Sequence, residues 1–271
     1  MREQWRFPNR ATPPGSSAYY SVRFAPAARR DHLTALLAWR HQVRAILHEV
    51  SDPGVARLKL QWWREELGRT FAGEPRHPLS QVLAPLLDAR RLAPEPFRRI
   101  AERVEAEILR RQPADEAELT AACEDDLGAL FELLAACEGA EERESLAAAR
   151  RLGGFCTRVY LIRDSGALAR QGRAPLPADR LRALGLSQQA LTQAHHRERL
   201  PELLAPAAAA ARAAQDATEQ APRLPVTLRI RGRILAALLG ELERADLDLA
   251  EQRIGLTPVR KLWLAWREAR R

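Results

Sequence analysis

The segment LKLQWWREELGRTFAGEPRHPL, residues 58–79, runs from a helical pattern into a proline-containing break. Upstream of it, Ser51 or Asp52 stands at an expected helix N-cap, and Pro53 follows in the first turn. These residues favour a helix start. The cap side chain accepts a free backbone N–H of the first turn, and proline fits that turn because it has no N–H that would need an acceptor. The break EPRHP, residues 74–78, ends the pattern. The segment therefore predicts a capped helix followed by a tight connection.

Most of the chain has the same organisation. Apolar residues recur at a spacing of three or four from about Ala28 to Val50, and prolines separate the later helical stretches. Pro85 is expected to kink or divide the third helix. With 46% hydrophobic and 6% aromatic residues, the core must be built mostly from Leu, Ala and Val. The 271 residues predict a flexible N-terminal segment, residues 1–16, and one all-α domain of roughly nine or ten helices, residues 17–271.

The formal net charge is +8, and nearly all of the positive charge is arginine. Such a balance is compatible with a nucleic acid, an acidic lipid surface or a phosphate-bearing ligand. However, acids and bases alternate in runs such as RRIAERVEAEILRR, residues 98–111, as is typical of solvated helix faces. Nucleic-acid binding is therefore not expected.

The last stretch, VRKLWLAWREARR, residues 259–271, is a better candidate for a basic amphipathic contact face. Trp263 and Trp266 could lie at a membrane interface or pack on the core, and core packing is the expectation. MREQWRFPNR, residues 1–10, lacks the apolar stretch of a secretory signal, and no apolar run is long enough to span a bilayer. We expect a cytoplasmic protein, with peripheral membrane contact left open.

Three cysteines, at positions 123, 137 and 156, have no CxxC spacing, which predicts buried free thiols in a reducing compartment. No P-loop, GxGxxG, HExxH or GxSxG motif occurs. His195 and His196 diverge by about 100° on a helix, and His32, His41 and His48 do not share one face, so a histidine metal site is not expected.

Two stretches carry charge where a ligand could bind. In HQVRAILHEV, residues 41–50, Arg44 and His48 lie one helical turn apart and can share a ligand. Asp164 stands beside Arg163 in the middle of an apolar helical stretch, although aspartate is a mediocre helix former. Its position suggests a polar cavity or an ion pair.

Taken together, roughly residues 15–268 resemble the squalene/phytoene synthases, a family of head-to-head prenyltransferases. The resemblance is carried, in order, by GSSAYYSVRFAPAARRDHLTALLAWRHQV, LKLQWWREELGRTFAGEPRHPL, LIRDSGALARQGRAPLP and ADLDLAEQRIGLTPVRKLWLAW. The WWREEL…HP segment is the most specific, because composition alone would seldom produce it. The resemblance implies an all-α isoprenoid-synthase-type fold around a central cavity, with Ser17, Tyr20, Thr157 and Tyr160 as candidates for its wall.

Members of this family that catalyse prenyl transfer carry two aspartate-rich motifs. Their carboxylates hold Mg²⁺ ions, which bind the substrate diphosphate and assist its departure. Aligned on the flanking residues, the aspartates of the first motif fall at Arg44, Ala45 and His48, and only the following Glu49 is acidic. The family arginine upstream is replaced by His41.

The second motif is also incomplete. Arg163 and Asp164 are kept, but the acidic pair that should follow has become Ala167 and Leu168. On an earlier helix, Glu107 stands where the family tends to have aspartate. The resemblance therefore keeps the framework of the fold and loses most of the metal ligands.

These departures predict a divergent, non-catalytic member, a pseudoenzyme without a bound metal or other cofactor. It would bind an isoprenoid or another lipid, with or without a diphosphate, or act with a protein partner as an assembly factor, since the chain also resembles the complex I assembly factor branch. The candidates for phosphate binding are His41, Arg44, His48, Arg163 and Arg173. The alternative is an active prenyltransferase that condenses isoprenoid diphosphates and requires Mg²⁺.

Overall fold

The computed structural model describes residues 3–173, 176–219 and 224–271, and within these ranges the chain is helical and has no β-strand. The α-helices are α1 Ser17–Arg23, α2 Ala27–Glu49, α3 Pro53–Phe71, α4 Pro78–Ala89, α5 Pro94–Ile108, α6 Glu116–Cys123, α7 Ala129–Glu138, α8 Arg143–Arg170, α9 Ala178–Ala183, α10 Ala194–Arg197, α11 Leu200–Glu219, α12 Val226–Arg244 and α13 Pro258–Ala269. Glu3–Trp5 and Ala190–Thr192 are 3₁₀ turns, and Glu124–Gly128 is a π-helical turn.

The predicted all-α fold is confirmed. The described residues form thirteen α-helices rather than nine or ten, because helices as short as α9 and α10 show no hydrophobic period in the sequence. Ala174 and Pro175, within the LIRDSGALARQGRAPLP segment, lie outside the described residues.

Helix α3 begins at Pro53, where the cap residues of the sequence predict a helix start. The Asp52 carboxylate accepts the backbone N–H of Val55 at 2.8 Å, and Pro53 is the first helical residue. Of the two candidate caps, Asp52 is therefore the one used. Helix α4 continues through Pro85 and is not divided there.

Glu66 ties the end of α3 to the start of α4. Its fully buried carboxylate accepts the backbone N–H groups of Arg76 at 2.8 Å and His77 at 2.7 Å. The His77 ring packs edge-on against Trp63 with 4.9 Å between ring centroids, and its Nδ1 accepts the N–H of Leu79. These contacts explain the number of residues between WWREEL and HP in the sequence. The Glu66 carboxylate and the Trp63 indole both contact His77, and His77 must lie where it can reach the two of them.

Burial alone would raise the pKa of the Glu66 carboxyl, but the backbone N–H groups of His77 and Arg76 and the guanidinium of Arg69 lower it. The carboxylate is therefore held in its charged form by its hydrogen bonds.

Helix α8 lies at the centre of the core, and its glycines allow other backbone segments to approach. A Cβ at Gly153 would lie 2.3 Å from the carbonyl oxygen of Leu127 in the π-helical turn. One at Gly166 would lie 1.8 Å from the carbonyl oxygen of Leu249. The three cysteines are buried free thiols, as predicted, and burial raises the pKa of Cys156 to about 12.

The N-terminal segment contacts the helical domain at several points. The backbone N–H of Phe7 donates to Asp31 on α2 at 3.0 Å. The Lys261 ammonium on α13 donates to the carbonyl of Gly15 at 3.1 Å. The flexibility of residues 1–16 stays a prediction. Across the described residues, no helix combines the length and apolarity needed to cross a bilayer.

Replacing Glu66 by Gln is expected to lower the free energy of unfolding by about 2–3 kcal/mol, because two buried N–H groups lose a charged acceptor. Urea unfolding at neutral pH measures the change. The pKa in the folded state lies below the ordinary value of 4.5, so this contribution is complete above that pH and is lost as the pH falls through the lowered pKa. Glu65→Gln on the same helix, with a 54% exposed side chain, is the matched control and should change stability by less than about 0.5 kcal/mol. An equal loss in both variants would contradict this role for Glu66.

Candidate functional site

A cavity of about 460 Å³ lies among the helices, and α2 forms one of its walls. Arg40, Arg44 and His48 follow each other at intervals of four residues on α2 and all line the cavity. At 3.6 residues per turn this spacing keeps side chains on one face. Arg44 and His48, which the sequence placed one turn apart, therefore lie on the face of α2 that lines this cavity.

Arg40 anchors this face to the π-helical turn. Its Nε and Nη2 donate to the Oδ1 and Oδ2 atoms of Asp126 at 2.8 and 2.7 Å, a two-point guanidinium–carboxylate contact. Burial would raise the pKa of Asp126, but the charges of Arg40 and Arg44 hold it below its ordinary value. Burial lowers the pKa of Arg40, and Asp126 opposes that shift.

Arg44 continues the network on the next turn. Its Nη1 and Nη2 donate to the two carboxylate oxygens of Glu107 on α5 at 3.0 and 3.1 Å, and Nη1 lies 3.4 Å from Asp126. Arg103 approaches the same Glu107 at 3.3 Å. Burial would lower the pKa of Arg44, but Asp126 and Glu107 outweigh this and raise it. Arg44 therefore remains charged between two carboxylates.

The second motif region, on α8, faces the same cavity. Asp164 accepts hydrogen bonds from the Nε atoms of Arg163 and Arg253, each at 2.8 Å. Burial would raise its pKa, but these two arginines hold the pKa of Asp164 below its ordinary value. The guanidinium of Arg163 lies 4.6 Å from the ring centroid of Tyr160, and Leu168 adds an apolar side chain to the wall.

Other arginines at the cavity have no such counterion. Arg231 on α12 is only 7% exposed, its Nε has no hydrogen-bond partner, and no described carboxylate pairs with it. Its guanidinium lies 5.8 Å from the ring centroid of Phe131. Arg110, Arg111 and Arg173 also line the cavity without an ion pair to any described residue. Part of the positive charge in this cavity is thus unneutralised.

The structure brings together most of the residues singled out from the sequence. Those that line the cavity are Ser17, Arg44, His48, Thr157, Tyr160, Arg163, Asp164, Leu168 and Arg173. The Thr157 hydroxyl is already engaged, since it accepts the N–H of Leu127 at 3.3 Å and lies 3.1 Å from the carbonyl of Cys123.

The remaining candidates lie elsewhere. His41 and Glu49 are exposed on α2 away from the cavity wall, and Ala45 and Ala167 are partly buried outside it. Tyr20 is buried in the core beside Tyr19, with 5.3 Å between ring centroids. His41 and Tyr20 therefore do not line this cavity, and a binding role for either stays a prediction.

Sequence reasoning missed Arg40, Asp126 and Arg231. The run CEDDL, residues 123–127, was a usable signal, because three consecutive acids stand just before the apolar stretch of α7. Arg231 lies in the alternating segment RIRGR, residues 229–233, where the sequence does not reveal which arginine points inward. Among the described residues, no three His, Cys, Asp or Glu side chains are placed to hold a metal ion.

Asp126→Asn is expected to lower the free energy of unfolding by about 3 kcal/mol, because Arg40 and Arg44 lose a buried counterion. Denaturant unfolding at neutral pH measures the change. Since the pKa of Asp126 is depressed in the folded state, the difference from the unmodified protein should shrink as the pH falls below 3.8. Asp125→Asn is the control. Its side chain is 33% exposed and pairs with Arg150 at 3.0 Å, so we expect a loss below about 1 kcal/mol. Equal losses for the two neighbours would refute the central place given to Asp126.

Comparison with known proteins gives a family and a fold. The family model described as squalene/phytoene synthase matches residues 11–263. No curated protein sequence matches.

Among solved structures, the chain is similar to the squalene synthase HpnC from Alicyclobacillus acidocaldarius, with 20% identity, a TM-score of 0.75 and coverage of 88% of this chain and 92% of that one. It is similar to a dehydrosqualene synthase in complex with a ligand, with 18% identity, a TM-score of 0.78 and coverage of 93% and 90%. It is also similar to YisP from Bacillus subtilis subsp. subtilis strain 168, with 16% identity, a TM-score of 0.68 and coverage of 92% and 89%. At these identities the structures establish the helical fold, and the family match covers most of the sequence. The chain belongs to the squalene/phytoene synthase family.

Proposed function

We propose that this protein binds a prenyl diphosphate in its arginine-lined cavity without Mg²⁺ and without transferring the prenyl group. The observation that carries the proposal is Arg231, a buried cation at the cavity wall with no described carboxylate partner. An unpaired buried charge is costly, and an anionic ligand would neutralise it.

The charge of the whole cavity supports an anionic ligand. Eight arginines line it against three carboxylates, Glu107, Asp126 and Asp164. Guanidinium groups pair phosphate oxygens through two parallel hydrogen bonds and need no metal to do so. Arg110 also has a left-handed backbone conformation, φ 51°, at the end of α5, where glycine is usually preferred.

A magnesium cluster fits these residues poorly. Mg²⁺ requires free carboxylate oxygens in near-octahedral geometry, and each of the three carboxylates is already bound by arginine. The Arg44 guanidinium lies within 3.4 Å of both Glu107 and Asp126, so a divalent cation there would meet a fixed positive charge. We therefore assign no step to a metal.

The apolar part of the cavity suits a hydrocarbon chain. Leu47, Leu127, Leu161 and Leu168 line it together with the arginines. A volume of about 460 Å³ lies within the range of ligand pockets, roughly 300–1,000 Å³. The fold neighbours include a dehydrosqualene synthase in complex with a ligand, which favours ligand binding by this chain as well.

Binding without turnover follows from the chemistry of the arginines. Fixed guanidinium groups stabilise the diphosphate of the bound substrate as readily as the departing pyrophosphate. They therefore lower the free energies of the ground state and the transition state together. The assembly-factor role stays a second hypothesis: such a protein would depend on a partner rather than on a filled cavity. The active prenyltransferase is the alternative that the first experiment addresses.

Farnesyl diphosphate is expected to raise the melting temperature equally with Mg²⁺ and with EDTA, because ligand binding to the folded state adds to its stability. Pyrophosphate release is followed in the same samples and should stay at the uncatalysed level. Farnesol is the control for the chain alone and should shift the melting temperature less. Mg²⁺-dependent release of pyrophosphate would establish the prenyltransferase alternative instead, and no shift with any ligand would favour the assembly-factor hypothesis.

Arg231→Met is expected to weaken farnesyl diphosphate binding by about tenfold or more, since one charged hydrogen-bonding group contributes roughly 1.5–3 kcal/mol. The same change should leave the free protein as stable or more stable, because it replaces an unpaired buried cation by an apolar side chain. Calorimetric titration and thermal melting separate the two effects. Arg233→Met, on the same helix and outside the cavity wall, is the matched control and should bind as the unmodified protein does. Similar weakening in both variants would argue against a direct contact of Arg231 with the ligand.

A further inference from the structure

Helix α13 presents an apolar stripe to solvent, contrary to the expectation that its tryptophans pack on the core. Val259, Leu262, Trp263 and Trp266 are 76%, 42%, 50% and 43% exposed. Their spacing of three, four and seven residues places them on one face of the helix. The stripe is therefore continuous, unlike singly exposed apolar residues, which need no explanation.

The opposite face of α13 is fully used by the fold. Leu264, Ala265 and Glu268 are buried, and Glu268 accepts a hydrogen bond from Arg229 on α12 at 3.0 Å. At its start, Lys261 donates to Gly15, next to Ser16 in the cavity wall. The helix is thus held in place by its inner face, and the outer stripe is not needed for packing.

Basic residues flank the stripe. Residues 258–271 contain five cations and one acid, a net charge of +4. The guanidinium of Arg267 lies 5.4 Å from the ring centroid of Trp263, and that of Arg270 lies 3.9 Å from that of Trp266. Neither arginine forms an ion pair with a described residue. Their charge is available to a partner.

We propose that the outer face of α13 docks on an anionic lipid surface, with the helix in the plane of the membrane. Tryptophan and arginine suit this boundary, because the ring enters the apolar layer while the guanidinium stays at the phosphates. The twelve residues of α13 span about 18 Å, far less than a hydrocarbon core of roughly 30 Å, so the helix lies on the bilayer.

Charge also decides against a second copy of this chain as the occupant. A two-fold interface through α13 would place the same cationic segment on both sides, and like charges would repel. An anionic bilayer neutralises them instead. The proposal concerns an outer surface and does not depend on what the cavity binds.

Co-sedimentation of the full chain with lipid vesicles tests the proposal. The protein should bind vesicles of phosphatidylcholine mixed with phosphatidylglycerol much more strongly than phosphatidylcholine alone, and less strongly at high salt. Trp263→Ser with Trp266→Ser should weaken binding by about tenfold or more, because two large apolar groups no longer leave water. Arg267→Gln with Arg270→Gln should weaken binding to the mixed vesicles by about fivefold per arginine. Circular dichroism checks that each variant is folded. If the tryptophan variant does not fold, the result for the arginine double variant decides the proposal.

Val55→Ser with Leu58→Ser is the matched control, since both residues are exposed apolar side chains at helical spacing on α3, outside the stripe of α13. It should bind like the unmodified protein. Equal binding to both kinds of vesicle, or unchanged binding by the tryptophan and arginine variants, would overturn the proposal. A concentration-dependent dimer that the tryptophan variant abolishes, without vesicle binding, would overturn it in favour of a second copy.

Discussion

The two-point contact between Arg40 and Asp126 is the interaction on which the cavity depends. It joins the long helix α2 to the π-helical turn that precedes α7, and both partners are largely removed from water. Arg44 repeats the arrangement one turn later with Glu107. Together these pairs keep cations and carboxylates interleaved along one wall. The acids of this wall are already neutralised and leave no free carboxylate for a divalent cation, while Arg231, without a described carboxylate partner, adds positive charge to the same cavity.

This arrangement gives a physical reading of the charges on α2. The resemblance predicts aspartates at the positions that Arg44 and His48 occupy on α2, and Glu107 on the facing helix is the counterion of Arg44. An arginine is tolerated at this buried position of α2 because a carboxylate lies opposite it. Asp164 on α8 is likewise paired with arginines, since it accepts hydrogen bonds from Arg163 and Arg253. The ion pairs on α2 and those at Asp164 on α8 are thus two separate clusters that line the same cavity.

The framework outside the cavity depends on different contacts. Glu66 and His77 connect α3 to α4 through buried hydrogen bonds and ring contacts, and Gly153 and Gly166 let backbone segments approach α8 closely. These are packing constraints that do not depend on the ligand. They explain how a chain can retain the helical arrangement while the charges in its cavity change.

Local patterns in the sequence were sufficient for the helical fold class, the start of α3 at Asp52, the buried thiols and the placement of Arg44 and His48 on one face of α2. Each of these depends on residues a few positions apart, where helix geometry relates spacing to orientation. The pairing of Arg40 with Asp126, the unpaired Arg231 and the exposed tryptophans of α13 could not be read in the same way. Arg40 and Asp126 are 86 residues apart, and the inner face of α12 or α13 is chosen by the helices that pack against it. Such choices are made by packing between distant segments, because a helix with apolar residues on both faces has no local feature that tells which face will be covered.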